Sequence, residues 1–203
     1  SFLFLLAQPL YHTGLKATIP AGNLTGTLYA VTGWNEVEDS NGEKTLGASL
    51  GWTSGNLSTG LNYLRGTEGR TTPAPHNAAS TGGIGFASPG KRDTELFDLV
   101  ATYLLNERVK LGLNVDYASA KGRNGSSGGK WYGFAVYAKA GIAKSLSAGA
   151  RYEQFKDANG LRLGSVAKLD EATLNLDYVL GNDNLLRAEY RHDSADLALF
   201  PSD

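Results

Sequence analysis

The stretch 171–193 constrains the fold more than any other part of the sequence, because two alternating runs of polar and apolar residues flank a polar turn. Residues 173–178 read TLNLDY and residues 186–193 read LRAEYRHD, with GNDN between them at 181–184. Alternation with a period of two places successive side chains on opposite faces of a β-strand. The stretch is therefore predicted to form a β-hairpin.

The numbering of the apolar residues fixes how the two strands of this hairpin face each other. Residues that face each other across an antiparallel pair lie on the same face of the sheet. The apolar residues of both strands carry even numbers: Leu174, Leu176, Tyr178, Leu186, Ala188 and Tyr190. Two facing residues with even numbers are separated by an odd number of residues, so the loop is predicted to hold an odd number of residues, most simply 182–184.

The same alternation recurs along the chain and predicts about ten strands. The connections between them alternate strictly between short turns and long links. Outer-membrane barrels with up-and-down antiparallel strands have this asymmetry, with short turns at one rim and long loops at the other. The short turns lie near Pro20, Ser54, Asn106, Ala143 and Gly181, and the long links begin near Asn35, Gly66, Ser119 and Lys156.

A soluble all-β sheet also alternates, and the aromatic residues favour the transmembrane β-barrel over that alternative. A membrane barrel places outward Trp and Tyr near its two interfaces with water. The predicted strands place one aromatic set near the long links and another near the short turns. The first set is Trp34, Tyr63, Tyr117 and Tyr132, and the second is Trp52, Tyr103 and Tyr178.

The composition removes several classes of function. The formal net charge is -1 and no basic stripe is present, so nucleic acid is not expected as a partner. The chain has no Cys, which excludes disulfides and thiolate chemistry. The apolar run at residues 2–7 is far shorter than the roughly 18 residues that a membrane helix needs.

The polar face of the predicted strands carries charges of both signs, and these residues are predicted to line the lumen. One interpretation is a set of ion pairs that keeps the wall rigid. The other is a transverse field across a constriction that orients polar solutes, with residues 151, 153, 187, 189 and 191 as its best candidates. The candidate pore-lining residues are Lys16, Asp98, Lys110, Asp116, Lys139, Arg151, Glu153, Asp177, Arg187, Glu189, Arg191 and Asp193.

An enzyme of the outer membrane would need a histidine oriented by an acid. His12 and His192 are predicted near the long-link rim, and His76 lies in the long irregular stretch 66–93. Asp193 points away from the His192 face. Neither a catalytic site nor a metal site is therefore predicted, and no cofactor is expected. The stretch 66–93 either folds into the lumen or presents a surface to partners.

Five segments resemble the putative beta-barrel porin-2 family of bacterial outer-membrane proteins. The last of them is the most specific, and together they extend along nearly the whole chain. They are HTGLKAT at 12–18, VTGWN at 31–35 with KTLGA at 44–48, YGFAVYAK at 132–139, ARYE at 150–153 and LLRAEYRHD at 185–193.

This resemblance implies a porin: a passive channel for small hydrophilic solutes or ions, with outer-membrane lipid as its surroundings. The alternation of short and long connections predicts long loops outside the cell and short turns in the periplasm. The alternative is a scaffold barrel whose lumen is plugged or occupied by a partner. Association into a homo-oligomer or with other envelope proteins stays open.

The resemblance also bears on domain organisation. Residues 1–203 are expected to form a single barrel domain, and family members are longer, with further strands before residue 1 and after residue 203. The strand number separates the two functions, because about eight to ten strands leave an interior filled by side chains and 16 or more leave an aqueous channel.

Overall fold

A computed structural model describes residues 1–39, 41–69, 90–181 and 184–197. It consists of ten β-strands preceded by one short π-helical turn, Leu3–Ala7. The strands are β1 Gly14–Ala21, β2 Leu24–Val31, β3 Thr45–Ser54, β4 Leu57–Glu68, β5 Arg92–Leu104, β6 Val109–Gly122, β7 Gly129–Ala143, β8 Leu146–Asp157, β9 Ala167–Leu180 and β10 Asn184–Ala195.

The strands form one antiparallel sheet in which each strand pairs with its neighbours in sequence. This is the up-and-down order that the alternating connections predict, and the predicted fold class is confirmed. Within the described residues β1 and β10 do not pair with each other, so the sheet is open. Of the predicted loop 66–93, residues 70–89 lie outside the described residues, and its two ends belong to β4 and β5.

The terminal hairpin has the predicted register. Leu186 faces Tyr178 and Ala188 faces Leu176, so the even-numbered residues of both strands share a face. Asn184 pairs with Leu180, which leaves three residues between them. The odd loop length is confirmed, but the loop is 181–183, one residue earlier than predicted.

Glycine permits the tightest turns at the short-turn end of the sheet. Two residues connect β1 to β2 and two connect β3 to β4. The first residue of each turn is a glycine with positive φ, 61° at Gly22 and 54° at Gly55. A type II′ hairpin turn requires this conformation at that position, and its twist matches that of the flanking strands.

The outer face of the sheet, on the even-numbered residues of β9 and β10, is an exposed apolar band. Leu15 and Leu174 are 81% and 61% exposed, and similar leucines follow on the strands between them. On β6 the outward apolar residues run from Val109 to Tyr117. Nine residues of a tilted strand span roughly the 25 Å of the lipid-facing band of a membrane barrel.

Strands β4 to β10 continue beyond this band at the long-link end, and there the two faces exchange character. The outer face becomes polar, and the inner face becomes a buried apolar core. Apolar and polar residues still alternate there, but the apolar residues now point to the inner face. The sequence pattern placed the ends of the strands at this change, so the strands are longer than predicted, up to 15 residues in β7. The inner-face core includes Leu64, Leu96, Ala118, Trp131, Phe155 and Leu169.

A row of aromatic rings marks the border between the apolar band and the polar outer face. Tyr63 faces Phe97, Phe97 faces Tyr117, and Tyr117 faces Tyr132 on four consecutive strands. The ring centroids are 4.7 Å apart in the first pair and 6.4 Å in the last. Membrane proteins place aromatic rings at the level of the lipid headgroups.

The prediction for Trp34 was wrong. This residue follows β2, is buried inside the sheet, and packs edge-on against Trp131 with ring centroids 5.8 Å apart. Strand β2 ends at Val31, three residues before Trp34, and the chain then turns inward. In the described part of the chain, no helix has the length and apolar character to cross a membrane.

Candidate functional site

The inner face of the sheet carries all twelve candidate residues. Cross-strand pairing puts Lys110 opposite Lys139, Asp98 opposite Asp116, and Asp177 opposite Arg187. Residues that pair in this way share a face. Because every second residue of a strand points to the same face, the charged residues lie together on the face opposite the apolar band.

Asp177 is the centre of the first charge cluster. Arg187 donates to it from Nε at 2.7 Å and from Nη2 at 3.0 Å, and Lys139 Nζ donates at 3.0 Å. The carboxylate side chain is 2% exposed, whereas the Lys139 and Arg187 side chains are 56% and 50% exposed. The negative charge is thus held in the wall beneath two cations.

Glu171 is the centre of the second cluster, and it is fully buried. Arg151 donates to it from Nε at 2.9 Å, and Arg191 Nη2 lies 3.2 Å from it. Arg191 also donates to Asp193 at 2.8 Å. Here too the guanidinium groups are more exposed than the carboxylate that they contact.

Asp98 and Asp116 form a different arrangement, in which two buried carboxylates face each other without a described ion-pair partner. Amide groups surround them: Asn62 Nδ2 donates to Asp98 at 2.5 Å, and Asn114 Nδ2 donates to Asp98 at 2.9 Å and to Asp116 at 3.4 Å. Asp116 Oδ1 is buried and has no hydrogen-bond partner among the described residues.

The remaining candidates are less enclosed. Lys16 is exposed on β1, and Glu189 is exposed on β10. Lys110 and Glu189 line a cavity of about 520 Å³ on the inner face, together with Arg151 and the Asp177 cluster. Glu153 instead lies at the other end of the charged face, where the backbone N–H of Phe2 and the Ser1 hydroxyl donate to it.

These contacts involve a segment whose location was not predicted. Residues 1–9, called here the inward segment, lie against the inner face of β6, β7 and β8. Leu3 and Leu6 are buried in the apolar core at the long-link end. Trp131 Nε1 donates to the Ala7 carbonyl at 2.9 Å. The segment therefore narrows the space above the charged wall.

Arg162, in the link between β8 and β9, holds this segment from the other side. Its Nε donates to the Leu6 carbonyl at 2.7 Å, and its guanidinium lies 5.2 Å and 5.4 Å from the ring centroids of Trp34 and Trp131. Burial lowers the pKa of Arg162 to about 10, so the group is still charged at neutral pH. It therefore contributes both a charge-assisted hydrogen bond and cation–π contacts.

Asp157 fixes the link that carries Arg162. Its carboxylate accepts hydrogen bonds from the backbone N–H groups of residues 161, 162 and 163, at 2.9, 2.7 and 2.8 Å. A carboxylate that accepts several backbone hydrogen bonds orders a short loop. The link folds over the inner face as a result, with Leu161 buried.

Among the described residues, neither His12 nor His192 forms a hydrogen bond with a carboxylate. His192 lies on the outer face opposite Ala172, while Asp193 lies on the inner face. His12 packs against Tyr29 at a ring distance of 5.9 Å, and His76 lies outside the described residues. No group of three His, Cys, Asp or Glu side chains in the described ranges could hold a metal ion.

Several residues of this site were absent from the sequence-based candidates. Glu171 shares the odd-number parity of Thr173 and Asp177, so the alternation could have identified it. Asn62 and Asn114 follow from the same rule. The inward segment could not be located from sequence, because its apolar run matches any buried segment.

Comparison with protein-family models gives a match over residues 1–203 to the family described as Putative beta-barrel porin-2, OmpL-like. No curated protein sequence matches the chain.

Solved outer-membrane porins have a similar fold, among them two from Comamonas acidovorans and Vibrio cholerae. An anion-selective porin from Comamonas acidovorans aligns with a TM-score of 0.67 at 14% identity, covering 96% of this chain and 55% of that one. OmpT of Vibrio cholerae, in its in-vitro folded trimer form, aligns with a TM-score of 0.64 at 15% identity, covering 89% of this chain and 53% of that one. This chain spans about half the length of each porin.

Proposed function

Because the chain belongs to the putative beta-barrel porin-2, OmpL-like family, we propose that it forms part of the wall of a passive channel for small hydrophilic solutes in the bacterial outer membrane. The observation that carries this proposal is the opposition of the two faces. An exposed apolar band lies on one face, and a charged, solvent-accessible wall lies on the other. The family and fold point to a channel rather than an enzyme.

The complete barrel is proposed to be larger than ten strands. Ten strands alone would enclose an interior filled by side chains, whereas 16 or more leave an aqueous channel. The open sheet supports a larger barrel, and so does the coverage of only 55% and 53% of the two solved porins. Residues 1–203 then belong to a single barrel domain.

The twelve inner-face residues are proposed to line this channel, with the long links at the extracellular rim. In both ion-pair clusters the carboxylates are buried and the cations are more exposed than the carboxylates that they contact. A solute passing this part of the wall therefore meets ammonium and guanidinium groups first. Such a wall favours anions, because exposed charges set the local potential. The solved porin from Comamonas acidovorans is itself described as anion-selective.

A liposome-swelling assay with the full-length protein tests this function. Sugars of increasing size should enter at rates that fall steeply with size, as in a water-filled pore with a fixed opening. Protein-free liposomes and liposomes with heat-denatured protein are the controls. If liposomes with folded, inserted protein swell no faster than these controls, the proposed channel function is wrong.

A plugged scaffold barrel is the second candidate, and the inward segment is the observation that favours it. This segment and the link carrying Arg162 fill the inner face at the long-link end. In a scaffold they would block the lumen permanently. Removing the docking contacts would then produce swelling that the unmodified protein lacks, whereas a porin conducts with the contacts in place.

A further inference from the structure

The outer face of the sheet carries a basic strip that starts level with the aromatic row and extends beyond it. Lys156 faces Tyr132 of that row, and Lys130 and Lys121 lie two and four residues beyond Tyr132 and Tyr117. Lys121, Lys130, Lys156 and Lys168 lie on the consecutive strands β6 to β9 and all point outward. Lys121 and Lys130 are exposed, and the other two are partly exposed. The strip is therefore on the side of the barrel that faces lipid, not on the lumen side.

The strip is continuous across the four strands. Lys156 faces Lys168 directly, and Lys130 lies two residues from Tyr132, which faces Lys156. Directly opposed residues have Cβ atoms about 5 Å apart, and diagonal neighbours about 7–8 Å. Like charges directly opposite each other destabilise a sheet. The direct opposition of Lys156 and Lys168 is thus unfavourable unless an anion compensates it.

In the described part of the chain, a carboxylate of the protein compensates only one lysine of the strip, Lys168. Among the described residues, Lys121, Lys130 and Lys156 have no ion-pair partner, and Lys168 pairs with Asp170 at 3.2 Å. Asp93 faces Lys121 in the register, but its carboxylate contacts Arg123 at 2.7 Å.

The neighbouring strands carry a neutralised pair of charges two residues beyond the aromatic row. Arg65 on β4 lies 3.5 Å from Glu95 on β5, and both point outward. The outer face of β4 and β5 is therefore charge-paired, and the outer face of β6 to β8 is not. The difference lies within a single sheet: the Arg65–Glu95 pair and Lys130 both lie two residues beyond the aromatic row, and only the pair is neutralised.

The height of the strip indicates its ligand. Aromatic rings of a membrane protein lie at the headgroup level, and lysines level with them or just beyond them extend their ammonium groups into that layer. Clustered lysines attract anionic lipid headgroups, with a contribution from each residue near the surface. We propose that Lys130, Lys156 and Lys168, with Lys121 beside them, bind a lipid headgroup that carries two or more phosphates, in the leaflet at the long-link rim.

Native mass spectrometry of the full-length protein in neutral detergent tests this site. The probe is lipid A with two phosphates, titrated in parallel with lipid A from which both phosphates have been removed. The unmodified protein should bind the phosphorylated form more tightly. Replacing Lys130, Lys156 and Lys168 together with Gln should weaken that binding by about fivefold per residue, roughly a hundredfold in total.

Two control proteins make the result specific. Lys144→Gln removes an exposed lysine from the short turn between β7 and β8, at the opposite end of the sheet, and should leave the affinity unchanged. Arginine at residues 130, 156 and 168 keeps the charge and should keep the binding. If the arginine variant folds and binds while the glutamine variant does not fold, the glutamine result is replaced by single substitutions, each expected to cost about fivefold.

Equal affinity of the unmodified protein for both forms of lipid A would overturn the proposal, as would a glutamine variant that binds normally. A loss in Lys144→Gln as large as in the strip variants would also overturn it, because any lysine would then suffice. The assay does not depend on an open pore. Liposome swelling in neutral lipid should be the same for all these variants. If the proposed channel function is wrong, the swelling assay will show it, and the result of the lipid-binding assay will not change.

Discussion

Replacing Trp131 with alanine should release the inward segment from the inner face. The indole is fully buried, and it donates a hydrogen bond to the Ala7 carbonyl at 2.9 Å. It also packs edge-on against Trp34 and lies under the Arg162 guanidinium. One substitution therefore removes three kinds of contact that hold the segment in place.

The size of the effect follows from the burial of the side chain. Replacing a buried Phe or Trp with Ala costs about 3–5 kcal/mol, including the cavity that is left. Part of that cost falls on the packing of Trp34 and Arg162, so about 3 kcal/mol acting on the docking equilibrium is a reasonable expectation. Since 1.4 kcal/mol is a tenfold change, the undocked population should rise by about a hundredfold.

The chain contains no Cys, so a single cysteine placed in the segment reports its exposure without background. Ala7→Cys places the thiol at a fully buried position with little change in size. The measurement is the rate at which a water-soluble maleimide labels this thiol in vesicles. We expect labelling to be about a hundredfold faster when Trp131→Ala is combined with Ala7→Cys.

Trp52→Ala is the matched control, because this tryptophan lies on the outer face and is 38% exposed. Its removal should leave the labelling rate of Ala7→Cys unchanged. Equal labelling in the Trp131→Ala background and the parent would refute the docking of the segment. Equal acceleration by Trp52→Ala would show that any loss of an aromatic residue loosens the barrel.

Three further predictions follow from individual residues. Lys139→Gln should shift the reversal potential under a salt gradient toward cation preference, while Lys144→Gln should not; equal shifts would contradict a cationic wall at the Asp177 cluster. Tyr117→Ala removes one ring from the outer aromatic row and should lower the free energy of unfolding in urea by about 1–2 kcal/mol, whereas an unchanged midpoint would show that the row adds nothing. Burial lowers the pKa of His12 below its ordinary value of 6.5. The unfolded state therefore binds the proton at a higher pH than the folded state, so the free energy of unfolding should fall as the pH drops below about 6.5 and stay constant above it. A His12 imidazole that titrates at or above pH 6.5 by NMR would contradict this.

The alternation predicts the sheet well because the period and the turn spacing are both local properties. In the terminal hairpin, the odd or even number of each residue correctly predicted the face of its side chain, and it also predicted the odd loop length. The same parity placed residues as distant as Lys16 and Asp193 on one face. A pattern with a fixed period extends along a whole strand, so few residues suffice to determine it.

The long-link end could not be predicted in this way. On β6 the apolar residues are odd-numbered as far as Tyr117 and even-numbered at Ala118 and Ala120. A change of phase looks like the end of a strand when only sequence is available, although the strand continues to Gly122. The inward positions of Trp34 and the inward segment depend on contacts between residues about a hundred positions apart, which no local pattern encodes.

Single-channel recording of the full-length protein in a planar bilayer tests the central claim most directly. An outer-membrane channel predicts discrete, stable conductance steps, with a reversal potential under a salt gradient whose sign indicates anion preference. A bilayer that stays silent although folded protein has inserted would contradict the channel and support a plugged scaffold barrel.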